Sequence, residues 1–318
     1  MNLLRTTNCE LRTVLLFCNK TDWFRKICWI ASVMIIVTLI LIIYEIMSTA
    51  WPAIRHFGFH FLISSTWQPN RDIYGVLPMI IGTVTSSLIA LLLALPLGLS
   101  IAIFLSESFL PATMRHAIRF IVEMLAATPS VVYGLWGIFV LVPLVQDYGD
   151  IISKHFGFIP FLRGPAYGNS LLTASLVLAL MVLPTITAIS RAALVAVPAT
   201  LREGSYALGA TRWETILRVL LPCAAPGIVA ATILAFGRAI GETMAVAMLI
   251  GNSQRLTFSL FSPSNTLSAL LANQFAEADG LQISALMYAA FLLIIMTLGT
   301  NIVGELVLRY THRRCATA

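Results

Sequence analysis

Six stretches of this chain are apolar for long enough to cross a bilayer, given that about 20 residues span a hydrocarbon core of ~30 Å. They are Ile27–Met47, Val76–Phe104, Ala117–Val145, Ser170–Ile189, Ala224–Gly251 and Ser284–Leu308. Several exceed the minimum, which implies tilt or extension past the membrane. Polar pieces divide them: tails over 1–26 and 309–318, a loop over 48–75, and an interruption over 190–222. Gly/Pro-punctuated segments over 146–169 and 252–283 read as loops or short re-entrant pieces. The pattern predicts an all-α polytopic membrane protein, with a first helix over 27–47 and a core of five crossings over 76–308.

Composition agrees. Of 318 residues, 58% are apolar and 11% charged, against roughly 25% charged in a soluble domain. The mean hydropathy is +0.89. The formal charge of +6 is scattered over tails and loops, with no aromatic-interleaved basic stripe, so nucleic acid is excluded as a partner. Cys9, Cys18, Cys28, Cys223 and Cys315 form no CxxC pair and no zinc spacing, and they read as reduced, incidental thiols. The polar stretch before the first apolar run is too long for a cleavable signal peptide.

Lysine and arginine set the orientation. If the N-terminus is cytoplasmic, that side carries Arg5, Arg12, Lys20, Arg25, Lys26, Arg115, Arg119, Arg191, Arg202, Arg212, Arg218, Arg309, Arg313 and Arg314. The other side carries only Arg55, Arg71, Lys154, Arg163 and Arg255. Both termini and the 190–222 interruption are therefore expected in the cytoplasm, and 48–75 outside. The aromatics of that outer loop (Trp51, Phe57, Phe59, Phe61, Trp67 and Tyr74) suit interfacial anchoring better than a binding face.

Within the interruption, Tyr206, Ala210, Trp213, Leu217 and Leu220 would form one apolar stripe on a helix. Gly204 and Gly209 weaken a continuous helix by about 1 kcal/mol each, which favours two short helices meeting near Gly209. Pro222 suits the opening of the next helix, where an N–H would be unpaired anyway. Such a segment either lies on lipid headgroups or seats in a groove of a partner.

The fifth run holds Arg238 and Glu242 inside FGRAIGETMAVAMLIG. An arginine near the bilayer centre costs roughly 2.5–3.5 kcal/mol on insertion scales, so it must face the bundle interior or a wet path. On a continuous helix the two side chains share a face and can pair. They form either a structural ion pair or an oxyanion site, in which the planar fork of arginine engages the anion and displaces Glu242.

Glu203, Gly209, Val219, Leu221 and Pro222 fall at the positions of the EAA loop of ABC-importer permeases, with Ala207 and Leu208 leading into the glycine. Gly204 and Ser205 stand where the name-giving alanines would be. GRAIGETMAVAMLIGN, AATPSVVYGLWGIFVLVPL at 126–144, LPLGLSIAIFLSE at 95–107 and WQPNRDIYGVLPMIIGT at 67–83 together resemble the PstC-type permeases of high-affinity phosphate importers. The likeness runs from about Phe24 onward. It implies a type I (MetI-like) importer permease in a bacterial inner membrane. The implied partners are a second, PstA-type permease, a PstB-type ATPase dimer, a PstS-type binding protein and membrane lipid. Arg238 and Glu242 match the family's charged pair in the translocation path, and Glu203, Ala207, Gly209 and Pro222 match its ATPase-coupling loop. Thr128, Pro129, Ser130 and Tyr133 fall in its third-span signature, either lining the path or kinking the helix.

No GxxxxGK[ST] loop occurs, so ATP hydrolysis must come from another chain. No HExxH occurs, and none of His56, His60, His116, His155 and His312 lies mid-span, which argues against a membrane-embedded enzyme. No cofactor is indicated. A permease for sulfate or molybdate remains an alternative that the loop motif does not exclude. An independent channel or carrier fits neither motif.

Overall fold

The computed structural model describes residues 3–317 apart from 108, 157, 159 and 258, with side chains from Trp23 to Thr311 except Phe156 and Pro160. The side chains of Cys9, Cys18 and Cys315 lie outside the described residues; Cys28 and Cys223 are free and exposed. Helices account for the architecture, and the only β-bridge among the described residues is an isolated antiparallel one between Gln68 and Ile73. In chain order the helices are α1 (Leu3–Phe57), α2 (His60–Ile63), α3 (Leu77–Ser106), α4 (Ala112–Ala127), α5 (Ser130–Trp136) and α6 (Val142–Phe156). They continue with α7 (Leu171–Val195), α8 (Ala199–Ala207), α9 (Arg212–Thr215), α10 (Leu221–Gly241), α11 (Met244–Leu249), α12 (Leu267–Gln274) and α13 (Leu281–Thr317). Among the described residues, six segments are long and apolar enough to cross a membrane: Trp23–Phe57, Leu77–Ser106, Ser130–His155, Leu171–Val195, Arg212–Gly241 and Leu281–Thr311.

The third crossing differs from the sequence expectation of Ala117–Val145. The chain leaves the helix at Thr128 (ψ 128°) and Pro129 (ψ 145°), and a new helix starts at Ser130. A proline pushes the preceding residue out of the α region, and here it divides the run in two. The crossing therefore begins at Ser130 and continues through a π turn, Gly137–Leu141, into α6. Residues 112–127 form a separate helix, on which Glu123 pairs with Arg119 at 2.7 Å.

α7 is the central helix. Two-thirds of its most apolar window is buried, and α3 packs along it more extensively than any other pair. Small residues allow this approach: Ala90, Ala94, Gly98 and Ala102 recur every four residues on α3, with all three alanines fully buried. A Cβ at Gly98 would lie 2.9 Å from Ile186 Cγ2, and the Gly98 carbonyl accepts a hydrogen bond from Thr187 Oγ1 at 3.3 Å. Close backbone approach is how membrane helices gain packing energy when lipid removes the hydrophobic difference. Gly98→Val should cost about 1–3 kcal/mol of packing. The variant is expected to accumulate poorly in membranes and to melt below the wild type after purification; an unchanged melting point would contradict this packing.

The aromatic set of residues 48–75 is only partly interfacial. Phe61, Trp67 and Tyr74 are buried. Phe61 stacks on Tyr288 at 4.5 Å, Trp67 meets Tyr74 edge-on at 4.9 Å, and Trp67 Nε1 donates to Gln274 Oε1 at 2.8 Å. Buried aromatics with satisfied polar tips hold a core rather than an interface. Burial, reinforced by the Asp72 carboxylate, pushes the Tyr74 phenol above its ordinary pKa. Trp51 and Phe59 stay exposed. By contrast α1 stands clear of the body over its apolar length, and packs on α13 through Ala50 and Ala53 at its far end. A helix apolar on every side needs lipid or other helices around it.

Candidate functional site

Two features carry the sequence-predicted site residues: a pair of broken helices in the core, and a helical hairpin at the end of α7.

The fifth crossing begins as one rod. Thr211 caps it, accepting from Glu214 N at 3.3 Å while the Glu214 carboxylate accepts from Thr211 N at 2.9 Å, a reciprocal capping box. From Arg212 the helix passes through a π turn, Ile216–Leu220, into α10. Pro222 lies nearly three turns past Arg212 in this rod, so it follows the helix start rather than making it. The rod stops at Gly241, because Glu242 is extended (φ −69°, ψ 128°) and α11 resumes at Met244.

That break corrects the expected Arg238–Glu242 pair. The helix unwinds at Glu242, so the i, i+4 geometry is lost, and no ion pair joins the two among the described residues. Arg238 Nη1 instead donates to Thr185 Oγ1 on α7 at 3.3 Å. The Glu242 carbonyl accepts from Ser268 Oγ on α12 at 2.8 Å, and the Gly241 carbonyl accepts from Thr243 Oγ1 at 3.3 Å. Backbone freed inside a membrane protein must be satisfied in this way. Arg238 is exposed in the single chain and Glu242 is half-buried.

The third crossing starts at the other break. Thr128 Oγ1 donates to the Met124 carbonyl at 2.9 Å, and Tyr133, itself buried, donates across the break to the Leu125 carbonyl at 2.8 Å. α5 then packs on α11, where a Cβ at Gly134 would meet Met248 Sδ at 2.6 Å. This contact joins the two broken crossings. The structure thus brings Arg238 together with Thr185, and places Tyr133 on the neighbouring break. Glu242 sits at the break with Ser268, while Thr128 ends α4 and Ser130 opens α5 at the neighbouring one, neither with a described contact to Arg238. Thr185 and Ser268 were missed by sequence reasoning; a hydroxyl directly after Pro184 in an apolar run was the available signal for Thr185.

The arrangement suits an anion more than a catalytic reaction. Arginine has five N–H donors, and Arg238 uses one of them on a neutral hydroxyl. A groove of about 720 Å³ elsewhere, between α3, α10 and α13, is lined by residues such as Leu91, Phe236 and Val303, with no charged side chain, and offers an anion nothing.

The hairpin at the end of α7 consists of α8 and α9. Gly209 takes a left-handed φ of +85°, and the turn closes with Gly209 N donating to Tyr206 O at 2.9 Å and Ala210 N to Ser205 O at 3.1 Å. Glycine adopts this helix-terminating conformation without a Cβ penalty. Ser205 Oγ meets Thr215 Oγ1 at 3.0 Å and ties the two helices together. The chain reversal breaks the single apolar stripe: Leu220 is buried, Ala210 half-buried, and only Tyr206, Trp213 and Leu217 are exposed. Glu203 and Ala207 are also exposed, and Leu208 is 91% exposed at the tip.

Residues 94–317 match the model of the binding-protein-dependent transport system inner membrane component family. The chain belongs to this family. Curated relatives include the phosphate transport system permease protein PstC of Mesorhizobium japonicum, 43% identical over 84% of this chain and 83% of that protein. Another is the protein of the same name from Haemophilus influenzae, 40% identical over 90% and 92%. Among solved structures, a chain of a bacterial alginate ABC transporter crystallised with an alginate-bound periplasmic protein superposes with a TM-score of 0.61 at 17% identity, covering 89% of this chain and 95% of that one. That likeness carries the fold alone. The chain is a family permease subunit with six transmembrane helices and type I importer architecture, and the resemblance drawn from its motifs to PstC-type permeases holds across most of its length.

Proposed function

We propose that this chain is a membrane subunit of an ATP-driven phosphate importer and forms half of its translocation path. The observation that carries the reading is about 40% identity to phosphate permeases over nearly the whole chain, in a molecule whose broken fifth crossing presents Arg238. A PstA-type permease completes the path, a PstS-type protein delivers phosphate from outside, and a PstB-type ATPase dimer docks on the α8–α9 hairpin. Both termini and the hairpin lie in the cytoplasm of a bacterial inner-membrane protein, as the basic residues favour.

In this reading the exposed side chains Glu203, Tyr206, Ala207 and Leu208 meet the ATPase, with Gly209 shaping the tip. Movement of the docked hairpin reaches α10 through the continuous rod that starts at Arg212, passes Pro222 and ends at the Glu242 break. Arg238 rides on that rod and Thr185 on α7, so a shift of one helix against the other opens or closes the anion position, as alternating access requires. The guanidinium fork offers bidentate contact to a phosphate oxyanion. Tyr133 lines the same region, and Thr128 and Ser130 keep the neighbouring break in shape. Glu242 adds negative charge at the break, which disfavours leak of anions.

The purified chain alone is expected to show no ATP hydrolysis. Hydrolysis stimulated by phosphate-loaded binding protein should appear only when the second permease and the ATPase are reconstituted with it. Turnover by the chain alone, or a complex indifferent to the loaded binding protein, would contradict the reading.

A further inference from the structure

Arg202 and Glu203 are adjacent in sequence but face different surroundings. Glu203 is exposed. The Arg202 side chain turns inward at 24% exposure, where Nη2 lies 3.3 Å from Glu107 Oε1, whose side chain is 12% exposed, and donates to the Leu194 carbonyl at 2.9 Å. Glu107 follows the last residue of α3, and Leu194 lies in the last turn of α7, where carbonyls carry partial negative charge. One guanidinium therefore joins α8 to the ends of two core helices. The Glu107 contact falls outside hydrogen-bond geometry, so charge holds it. Charges this poorly hydrated are costly to separate, since removing one leaves the other buried and unpaired.

A second contact runs parallel to the first. Phe109, two residues beyond Glu107, stacks on Trp213 at 5.2 Å and lies 6.0 Å beneath the Arg212 guanidinium. It also meets Phe104 of α3 edge-on at 5.9 Å. The segment after α3 thus grips both helices of the hairpin, α8 by charge and α9 by ring stacking.

We propose that Glu107, Arg202, Phe109 and Trp213 form an internal clamp that makes the α8–α9 hairpin move as one body with α3, giving the ATPase stroke a second route to the anion position. From α3 the route continues through the close Gly98–Ile186 packing into α7, which carries Thr185, the partner of Arg238. Glu107 and Arg202 are positioning residues: they touch neither the anion nor the docking face. The proposal rests on the reading that the hairpin receives the ATPase.

The test uses the assembled importer in proteoliposomes, with Glu107→Arg, Arg202→Glu and the double charge swap. ATPase co-purification, ATP hydrolysis and labelled phosphate uptake are measured together. Each single variant is expected to keep the ATPase bound and hydrolysing while uptake per ATP falls about tenfold or more. The swap should recover about threefold or more of that loss, on the scale of coupling between close charge pairs, but not all of it, because a carboxylate at 202 cannot donate to the Leu194 carbonyl. Single variants with a wild-type ratio, single variants that lose the ATPase, or a swap without rescue would each overturn the clamp. Where a charge-reversed subunit fails to accumulate, Glu107→Gln, which keeps the shape and removes the charge, is read by the same ratio. Failure of the docking reading itself shows separately, as Glu203→Arg and Gly209→Val subunits that still bind the ATPase and transport normally.

Discussion

Arg238→Gln is expected to lower phosphate uptake about thirty-fold or more while the importer still assembles. The magnitude follows from losing a charged, bidentate partner of an anion, which costs about 2–5 kcal/mol when the site is dehydrated, with each 1.4 kcal/mol worth a factor of ten. Assembly should survive because Arg238 makes no described ion pair. Its side chain donates to the neutral Thr185 hydroxyl, and glutamine can still donate there. Arg238→Lys should fall between the two, since lysine keeps the charge but not the planar fork. The check is labelled phosphate uptake, with ATPase co-purification as the assembly control. Normal uptake by Arg238→Gln would remove the residue from the path.

The second large effect is expected at the hairpin tip. Gly209 has open space where a Cβ would go but a φ of +85°, so the obstacle to substitution is conformational. A β-branched residue is a poor occupant of the left-handed region, whereas asparagine visits it. Gly209→Val should therefore misplace Leu208 and Glu203 and sharply reduce ATPase co-purification and uptake, while Gly209→Asn retains most of both. Glu203→Arg, which leaves the turn intact and reverses an exposed charge, should reduce co-purification by itself. If Gly209→Val and Glu203→Arg both bind the ATPase at wild-type levels, the docking surface lies elsewhere.

The parts of this architecture that depend on neighbouring residues were legible in the sequence. Runs of apolar residues located six crossings, and Gly209 marked the meeting of two short helices, because a left-handed turn has a local signature. The breaks were harder. Pro129 was visible, but whether it kinks a helix or divides it depends on what satisfies the freed backbone, and Tyr133 supplies that from the next helix. The Glu242 break has no proline at all; it is held by Ser268, which arrives on α12 after a long loop. A periodicity argument that assumes an unbroken helix therefore paired Arg238 with Glu242, and missed Thr185. Phe61 and Trp67 likewise looked interfacial because their burial depends on Tyr288 and Gln274, about two hundred residues away. Family motifs singled out the segment around Gly209 and the charged residues, yet the inward turn of Arg202 toward Glu107 follows only from the packed ends of α3 and α7.

The most direct test of the central claim is uptake of labelled phosphate by cells in which this chain belongs to the only phosphate importer, measured with and without a large excess of unlabelled sulfate. Uptake that disappears when the chain is deleted, and that sulfate leaves unchanged, is the predicted result. Uptake that survives deletion, or that sulfate suppresses as strongly as unlabelled phosphate does, would contradict it.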